Sequence, residues 1–493
     1  MSSKADLAII NARIFTSDET IPYAEAVAIE GKHILYVGNN TGAQKFCDDK
    51  TRVIDGQGHT LTAGFIDTHV HLLSGATWMG YAELSLASTK NDLKGILREY
   101  ADANQSEEWI IGWRSPYNVI STRGELDEII PDRPVYVRAA DAHTAWANTK
   151  ALEIAGLLKG NRTDLPDGIV LDENGLPTGE LREGKAMRAV LDFIPPPSEA
   201  RIRDQLKRAI QGFNRTGITS IHNMNGDMND LMVYAAAEDA GELNLRVYVP
   251  YSVRPETREE DLSEASKMAA VQMDYVRGGL AKFFMDGVWE SYTAFNIEPY
   301  ADNPEISVDP IFSLEHFTRM AAACDRLGLQ IAVHCCGDGA VRQTLDGYEA
   351  LQKMNGRRDS RHRIEHVEVC QPEDMPRFRD LGVIAAIQPS HASLKLDDYK
   401  IGQVRLGEKR WPLWQPWRDL KNAGAHISLG SDWTVVPYDP MTHFYVALNR
   451  EPYSPDSTDQ RLTLAECILG YTRDAAYAEF KENEKGQVKE GYL

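Results

Sequence analysis

Cysteine is scarce in this chain, with six in 493 residues, and none of the six shows the paired CxxC spacing of zinc ribbons or redox motifs. This scarcity argues against a disulfide-stapled secreted fold, and buried reduced thiols are the expected interpretation. The chain also lacks any apolar run near the roughly 20 residues that a membrane-spanning helix needs. No apolar signal region precedes the first strand pattern. We therefore expect a cytoplasmic protein.

Basic residues are fewer than acidic ones: the chain has 53 lysines and arginines and 73 aspartates and glutamates, so its formal net charge is −20. Nucleic acids and anionic membrane surfaces both favour basic patches, so neither is expected as a partner. A small-molecule substrate is the expected partner, and formation of a homodimer is left open. The hydrophobic content of 43% is ordinary for a globular protein with a large core.

The first 60 residues contain short strand patterns separated by turn signals. The patterns cover residues 7–15, 26–29, 33–37 and 51–54. They predict a small β-sandwich over residues 1–60. Residues 481–493 are interpreted as the start of strands that return to this sandwich.

Eight short apolar segments recur after residue 60, and most are followed by a helical pattern. They cover residues 61–71, 218–224, 245–251, 281–286, 330–334, 362–366, 383–388 and 426–432. Eight strands alternating with helices predict an α/β fold, a (β/α)8 TIM-type barrel over residues 61–480, with its chemistry at the C-terminal strand ends.

The connection after the first barrel strand is far longer than a usual βα loop. Residues 75–200 carry a strand pattern of their own at 134–140 and several helical stretches. They are interpreted as an inserted α+β subdomain over the barrel mouth. The long segment 390–420 after the seventh strand is a hypothetical lid.

Candidate metal ligands lie at the predicted strand ends. His69 and His71 close the first strand with i, i+2 spacing, so both imidazoles point to one side of the strand. The other strand-end candidates are Lys282, His334, His366 and Asp432. Imidazole and carboxylate ligands suit zinc, with another divalent metal as the alternative.

The sequence around these residues resembles the amidohydrolase superfamily, and more narrowly amidohydrolase family 3, the YtcJ-like branch. The matching segments are residues 64–71 (GFIDTHVH), 141–148 (DAHTAWAN), 177–183 (PTGELRE), 282–287 (KFFMDG), 334–338 (HCCGD), 362–366 (HRIEH) and 430–433 (GSDW). Members of this family normally continue with further sandwich strands at the C-terminus. The resemblance therefore leaves truncation of this chain open.

The resemblance implies a role for each ligand. His69 and His71 would bind the more buried metal with Asp432, and His334 and His366 would bind a second metal. Lys282 would be carboxylated and bridge the two ions, because a lysine ammonium has no lone pair to offer. Pairing of Lys282 with a carboxylate such as Glu290 is the alternative, and a site with one ion stays open.

The expected function is a metal-dependent amidohydrolase, an enzyme that cleaves an amide-like C–N bond of an N-acyl, N-formyl, carbamate or cyclic amide compound. A metal would activate water and polarise the carbonyl, while the catalytic Asp432 would take and return the proton. The alternatives are a catalytically silent binding protein and a metal-assisted isomerase, decarboxylase or esterase on the same barrel.

Substrate contacts are expected from the insertion and from the loops at the barrel mouth. The resemblance makes His143 a substrate-facing donor, against a merely exposed residue at a helix start. Glu183 matches a recurring glutamate of this branch, against a solvated charge on a helix face. The indole rings expected to border the pocket belong to Trp113, Trp146 and Trp289.

Overall fold

Two small sheets form the N-terminal part of the computed structural model, which describes residues 4–158, 166–455 and 457–493. The strands are β1 (Leu7–Ile10), β2 (Arg13–Phe15), β3 (Tyr23–Ala24), β4 (Ala26–Glu30), β5 (His33–Gly38), β6 (Arg52–Asp55) and β7 (Thr60–Leu61), and the helix α1 spans Asn40–Gln44. One sheet has the order β5-β4-β1-β6 and the other β3-β2-β7. Ile14, Val27 and Val37 belong to one apolar cluster that joins the two sheets. The sequence predicts a sandwich for this segment, and the structure has two sheets with a shared core.

The C-terminal residues 481–493 contact these sheets without forming a strand of their own. The backbone N–H of Val488 donates to the carbonyl of Thr16 at 2.8 Å. Ile34 donates to Tyr492 and accepts from Gly491, both at 2.8 Å. The interpretation of these residues as the start of a return to the sandwich stays a prediction. They attach to the N-terminal sheets through single hydrogen bonds and through the buried side chain of Val488.

The first barrel strand is β8 (Phe65–Val70), and the helix α2 (Leu72–Trp78) follows it. The long connection then forms a separate α+β unit. Its helices are α3 (Lys90–Ala103), α4 (Arg123–Ile129), α5 (Thr149–Ile154) and α6 (Glu183–Leu191). Its strands are β9 (Ala82–Glu83), β10 (Ile110–Ser115), β11 (Val135–Ala139), β12 (Thr144–Ala147), β13 (Ile169–Leu171) and β14 (Pro177–Arg182). They make one sheet of order β13-β14-β12-β11-β10-β9.

The remaining barrel strands follow the insertion. They are β15 (Ile218–Asn223), β16 (Arg246–Ser252), β17 (Val276–Phe284), β18 (Gln330–Cys335), β19 (Arg363–His366), β20 (Ile384–Ile387) and β21 (His426–Leu429). With β8 they form an eight-stranded parallel sheet in chain order. A parallel bridge between Val70 and Trp433 and a hydrogen bond of 2.8 Å from Thr68 Oγ1 to the Leu429 carbonyl link the last strand to the first. The predicted TIM-type barrel is confirmed.

Helices cover the outside of the barrel. They are α7 (Glu199–Arg215), α8 (Met228–Asp239), α9 (Leu262–Ala269), α10 (Leu314–Arg326), α11 (Asp338–Asn355), α12 (Met375–Leu381), α13 (Lys400–Leu406), α14 (Trp417–Asn422), α15 (Pro440–Asn449), α16 (Leu464–Gly470) and α17 (Arg473–Tyr477). Short 3-10 turns span Tyr117–Val119, Glu259–Asp261, Pro389–His391, Leu396–Asp398 and Glu408–Leu413. None of the helices in the described part of the chain is both long and apolar enough to span a membrane.

The sequence of α10 shows why these helices form and how they pack. Ser313 caps its N-terminus by accepting from the backbone N–H of His316. Phe317 and Met320 repeat at helical spacing on the buried face, where they join Ile331 of β18 in the main core. Burial of that face against the strands fixes the barrel wall, and the strand ends then hold the candidate ligands in place.

Candidate metal centre

The first two predicted ligands converge on Asp432. His69 Nε2 lies 3.4 Å and His71 Nε2 lies 3.1 Å from Asp432 Oδ1. The backbone N–H of Asp432 donates to the His69 carbonyl at 2.7 Å, which pins the segment after β21 to β8. A Cβ on Gly430 would lie 2.6 Å from the His69 nitrogen, so glycine permits this close approach. The strand period of two and this backbone contact together bring the side chains of His69, His71 and Asp432 close to one another.

His366 completes a compact group of ligand atoms with His69 and Asp432. One ligand atom from each of these three residues lies within 4.8 Å of the other two. The ring of His334 lies 4.4 Å from that of His366, between centroids, and His334 Nε2 lies 3.1 Å from the Gly287 carbonyl. The structure therefore brings His69, His71, His366 and Asp432 together, with His334 adjacent and bonded to the backbone.

Lys282 of β17 is fully buried, and its Nζ has no hydrogen-bond partner among the described residues. Burial lowers the pKa of this amine to about 8, although Glu365 and Asp432 oppose the shift. The alternative partner Glu290 instead accepts a hydrogen bond from the Tyr399 hydroxyl. Pairing of Lys282 with Glu290 is thus wrong, and the amine is left without a carboxylate contact.

These residues fit a divalent metal. Four buried polar atoms of the predicted set have no hydrogen-bond partner in the described part of the chain: His69 Nε2, His366 Nδ1, Asp432 Oδ1 and Lys282 Nζ. Buried polar atoms are normally satisfied, and a bound ion would supply a partner for the atoms of His69, His366 and Asp432, which lie close together. Burial holds the pKa of both His69 and His366 well below the usual value, so both imidazoles are neutral at pH 7. Neutral imidazole is the form that binds metal.

The side chain of Glu365 does not lie on the face of the strand that simple alternation predicts. Glu365 precedes His366 and is therefore expected on the opposite face of the strand. In the structure it lies inside the barrel, where its Oε2 is 2.6 Å from His69 Nδ1 and both carboxylate oxygens accept from Arg363. The alternation fails because His366 has a left-handed backbone with φ of +73°, which redirects its own side chain. Because Glu365 accepts the Nδ1 proton, His69 Nε2 is free for a metal.

His143 and Glu183 form an ion pair at the edge of the site. His143 Nδ1 lies 3.0 Å from Glu183 Oε2, and the His143 ring centroid is 5.6 Å from that of His334. Burial opposes protonation of His143, but Glu183 outweighs it and raises the pKa of the imidazole to about 9. Glu183 also accepts from the hydroxyl of Thr293 at 2.5 Å. Both residues thus have specific partners, and the interpretations as an exposed histidine and a solvated charge are wrong.

A cavity of about 300 Å³ lies in front of the ligand group. Its wall includes His143, His334, His366 and Asp432. The other side chains of the wall come from the loops after β17, β18, β19, β20 and β21: Val288, Glu290, Cys336, Glu368, Ser390, His391, Ala392, Ser393, Asp398, Tyr399, Val435 and Val436, with Asp141 from the insertion.

The three tryptophans predicted to border the pocket are not part of this wall. Trp113 is 2% exposed and Trp146 is 1% exposed, and each packs in an apolar cluster of the insertion. Trp289 is fully buried, and its indole N–H donates to the Cys336 carbonyl. The prediction of substrate contact by these rings is therefore corrected. Trp113 in β10, Trp146 in β12 and Trp289 in a loop all serve packing, where burial of their large apolar surface stabilises the fold.

His391 is the site residue that sequence reasoning missed. Its ring stacks on His366 at 5.6 Å with an angle of 9°, and its Nε2 lies 3.5 Å from Asp432 Oδ2. Its Nδ1 lies 3.4 Å from Glu368 Oε1. The place of His391 in the sequence could have indicated its role, because it follows β20 within four residues. It therefore lies at the same barrel rim as the candidate ligands.

A model of the amidohydrolase family matches residues 52–493. The chain belongs to the amidohydrolase family. The match spans the described ligand group from His69 to Asp432, and the resemblance noted in the sequence is confirmed.

Curated relatives extend over nearly the whole chain. It is 30% identical to the protein LONG AFTER FAR-RED 3 of Arabidopsis thaliana, over 99% of this chain and 86% of that protein. It is 29% identical to the putative amidohydrolase YtcJ of Bacillus subtilis, over 97% and 91%. The N-substituted formamide deformylase of Arthrobacter pascens is 26% identical, over 100% of this chain and 92% of that enzyme.

A solved structure supports the fold. An uncharacterized metal-dependent hydrolase from Pyrococcus furiosus superposes with a TM-score of 0.77 at 24% identity, covering 99% of this chain and 97% of that chain. At this identity the likeness shows the fold alone.

Proposed function

We propose that this amidohydrolase is a metal-dependent hydrolase of amide-like C–N bonds, with N-formyl and other N-acyl amines as the first substrates to test. The observation that carries the proposal is the group of His69, His366 and Asp432, whose ligand atoms gather within 4.8 Å at the rim of a barrel. The family match supports the class of reaction, and the similarity to an N-substituted formamide deformylase supports the choice of N-formyl compounds.

His69, His71, His334, His366 and Asp432 would hold the metal, and a carboxylated Lys282 would bridge two ions if a second is present. A bound divalent ion would lower the pKa of a water and polarise the substrate carbonyl. Zinc is the metal we propose, because imidazole and carboxylate are its usual ligands in hydrolases. The buried and unpartnered Lys282 amine supports carboxylation, since addition of carbon dioxide with loss of a proton would give the side chain a negative charge and two oxygen atoms that can bind metal.

Asp432 has the position of a proton carrier. Burial opposes its ionisation, but the neighbouring His71, whose Nε2 lies 3.1 Å from Asp432 Oδ1, outweighs burial and keeps the pKa of Asp432 below the usual value, so the carboxylate is available as a base at neutral pH. Its Oδ2 faces His391, and Oδ1 faces both strand-end histidines. The protonated His143 can donate to the oxygen of a bound substrate while Glu183 holds its ring in place.

The experiment is metal analysis of the purified protein together with a hydrolysis screen of N-formyl, N-acyl, carbamate and lactam compounds. Stoichiometric zinc and release of an amine support the proposal. A protein without stoichiometric metal that binds these compounds uncleaved would instead be a silent binding protein. Products without a cleaved C–N bond would indicate the isomerase, decarboxylase or esterase alternatives. Native mass spectrometry with and without bicarbonate tests carboxylation of Lys282, since a carbamate adds the mass of carbon dioxide.

A cytoplasmic location is also proposed. All six cysteines are unpaired, and five of them are buried. Free thiols in this number are typical of a reducing compartment. The homodimer that the sequence leaves open stays a prediction for size-exclusion chromatography with light scattering.

A further inference from the structure

The cavity in front of the ligand group has a one-sided charge. Among the lining side chains that the structure describes, none is a lysine or an arginine. Apart from Asp432, the wall contains four carboxyl groups, those of Asp141, Glu290, Glu368 and Asp398. The wall also contains histidines, and the positive charge of each histidine depends on the residue that it contacts.

The two histidines outside the ligand group are already paired. His143 contacts Glu183, which lies behind the wall, and His391 contacts Glu368. Each pair is close to neutral as a unit. Asp398 is exposed, where water screens its charge. Asp141 and Glu290 are therefore the carboxyl groups of the inner wall that make no ion-pair contact with a described side chain, although the charge of His143 acts on Asp141 and that of His391 on Glu290.

Both groups receive hydrogen bonds from neutral donors alone in the described residues. Asp141 accepts from the Tyr117 hydroxyl at 2.6 Å and from the His143 backbone N–H at 3.0 Å. Glu290 accepts from the Tyr399 hydroxyl. Burial and then the charge of Asp141 raise the pKa of Glu290, and burial raises the pKa of Asp141 despite the charge of His143, so the groups around them compensate neither carboxylate fully.

A ligand can supply the missing positive charge. An ammonium or guanidinium group near Glu290 would compensate a half-buried carboxylate, whereas a ligand carboxylate would add a like charge to the same wall. The side chains of Val288, Val435 and Val436 make part of the wall apolar, which suits the methylene groups of a spacer. His366 and Asp432 of the ligand group line the same cavity, so a bound substrate can reach the ligand group while its charged part contacts Glu290.

We propose that the substrate of this site carries a cationic group, joined by a short apolar spacer to the amide-like bond that is cleaved, and that Glu290 with Asp141 binds this group. The inference rests on the proposed function for the position of the cleaved bond. The recognition of charge by Glu290 is independent of whether the bond is cleaved. An N-acyl amino acid, whose carboxylate needs a cationic partner, is a poor substrate under this proposal.

Three formamides of matched length test the charge preference. N-(4-Aminobutyl)formamide carries an ammonium group, N-pentylformamide replaces it by a methyl group, and 4-formamidobutanoate carries a carboxylate. We expect kcat/KM to fall in that order. The cationic compound should exceed the neutral one by at least about tenfold, a factor that corresponds to about 1.4 kcal/mol. Equal values for the cationic and neutral compounds would overturn the inference and leave the hydrolase proposal intact.

The variant Glu290→Gln connects the preference to this wall. The glutamine can still accept from Tyr399, so the local structure is retained while the charge is removed. We expect Glu290→Gln to abolish the preference for the cationic compound through KM, so that the ratio of kcat/KM for the cationic compound to that for N-pentylformamide falls from at least about 10 to about 1. The matched control Glu408→Gln alters an exposed carboxylate outside the cavity and should keep the preference. An unchanged preference in Glu290→Gln would contradict the assignment.

Calorimetry separates the two proposals if none of the formamides is hydrolysed. Binding of N-(4-aminobutyl)formamide that is tighter than binding of N-pentylformamide and lost in Glu290→Gln would support charge recognition without catalysis. Absence of that difference would refute it. If Glu290→Gln instead reduced the metal content of the protein, Glu290 would be a metal ligand, and its assignment to a substrate cation would be wrong.

Discussion

Several site side chains point where they do because of unusual backbone conformations at single residues. His366, Val367 and Asp432 all have positive φ, at 73°, 50° and 60°. Residues with side chains seldom adopt this region, and such strain is found at functional sites more often than elsewhere. A strand period predicts which residues lie at a strand end, but it cannot predict these turns. This is why the ligand positions could be predicted from the sequence while the inward direction of Glu365 could not.

Glu365 gives the first prediction at this scale. The change Glu365→Gln removes the negative charge that accepts the Nδ1 proton of His69 and leaves the buried Arg363 without its partner. We expect metal affinity to fall roughly 10- to 100-fold, because such a partner fixes the tautomer and raises the basicity of a ligating histidine. Competition with a chromogenic chelator measures the affinity directly, without a turnover assay.

Glu365→Asp is the companion variant, because it keeps the charge at a shorter reach. It should recover part of the metal affinity lost in Glu365→Gln. If both variants bound metal as tightly as the wild type, Glu365 would have no part in preparing His69. Thermal melting of the metal-free variants reports any purely structural loss separately.

Asp432 carries the second prediction. Asp432→Asn keeps an oxygen that can face the metal but removes the base, so we expect an intact fold and a fall in kcat of at least about 100-fold. Steady-state kinetics at equal metal content, with circular dichroism for the fold, make the comparison. Near-native turnover in this variant would exclude Asp432 as the proton carrier.

At the scale of secondary structure elements, the eight barrel strands were predictable and the roles of loop aromatics were not. Strands such as β18 are continuous apolar runs because both faces are buried, and that pattern is visible in the sequence. Trp289 lies in a loop close to the mouth, yet its ring is turned into a cluster with Tyr300 and Trp414. Which way a loop side chain turns depends on tertiary packing that has no period in the sequence.

Asp325, at the end of α10, gives a prediction at the element scale. Its carboxylate accepts from Arg358 at 2.6 Å and Asn355 at 2.8 Å and lies 3.3 Å from His362, so it joins α10, the end of α11 and the start of β19. Burial opposes ionisation of Asp325, but hydrogen bonds from His362 and Asn355 outweigh it and lower the pKa to about 2. Asp325→Asn should lower the free energy of unfolding by roughly 2 kcal/mol at pH 7, since it weakens charge-assisted hydrogen bonds to Arg358, whose side chain is partly exposed, and to Asn355.

The carboxylate of Asp325 should also make the free energy of unfolding depend on pH, and the direction of this dependence follows from its pKa. The pKa of Asp325 in the folded state lies below its ordinary value of 3.8, so its contribution is complete above about pH 4 and is lost as the pH falls toward 2. Urea unfolding at several pH values should show wild type and Asp325→Asn converging in acid. A constant difference down to pH 2.5 would contradict this origin. Asp459→Asn, which breaks an exposed pair with Arg461, should change stability by less than about 0.5 kcal/mol.

At the scale of the whole molecule, the ligand group ties together strands that are distant in the chain. His69, Lys282, His334, His366 and Asp432 come from β8, β17, β18, β19 and the segment after β21. Four of these five residues, all except His334, have a buried polar atom without a hydrogen-bond partner in the described part of the chain. A bound ion would therefore stabilise the complete barrel rather than one loop, because unfolding separates all five segments.

Removal of metal should accordingly lower the thermal stability of the whole chain. An ion that binds the folded state alone adds about 2.7 kcal/mol to the free energy of unfolding at a free concentration 100 times its Kd. We expect a chelator to lower Tm in wild type and added zinc to restore it, as followed by differential scanning calorimetry. In Asp432→Asn the restoration should be smaller, because one ligand charge is missing. Glu290→Gln should respond as wild type does, since Glu290 lies on the cavity wall and outside the ligand group. If neither chelator nor zinc changed the Tm of the wild type, these side chains would hold no metal in the folded protein.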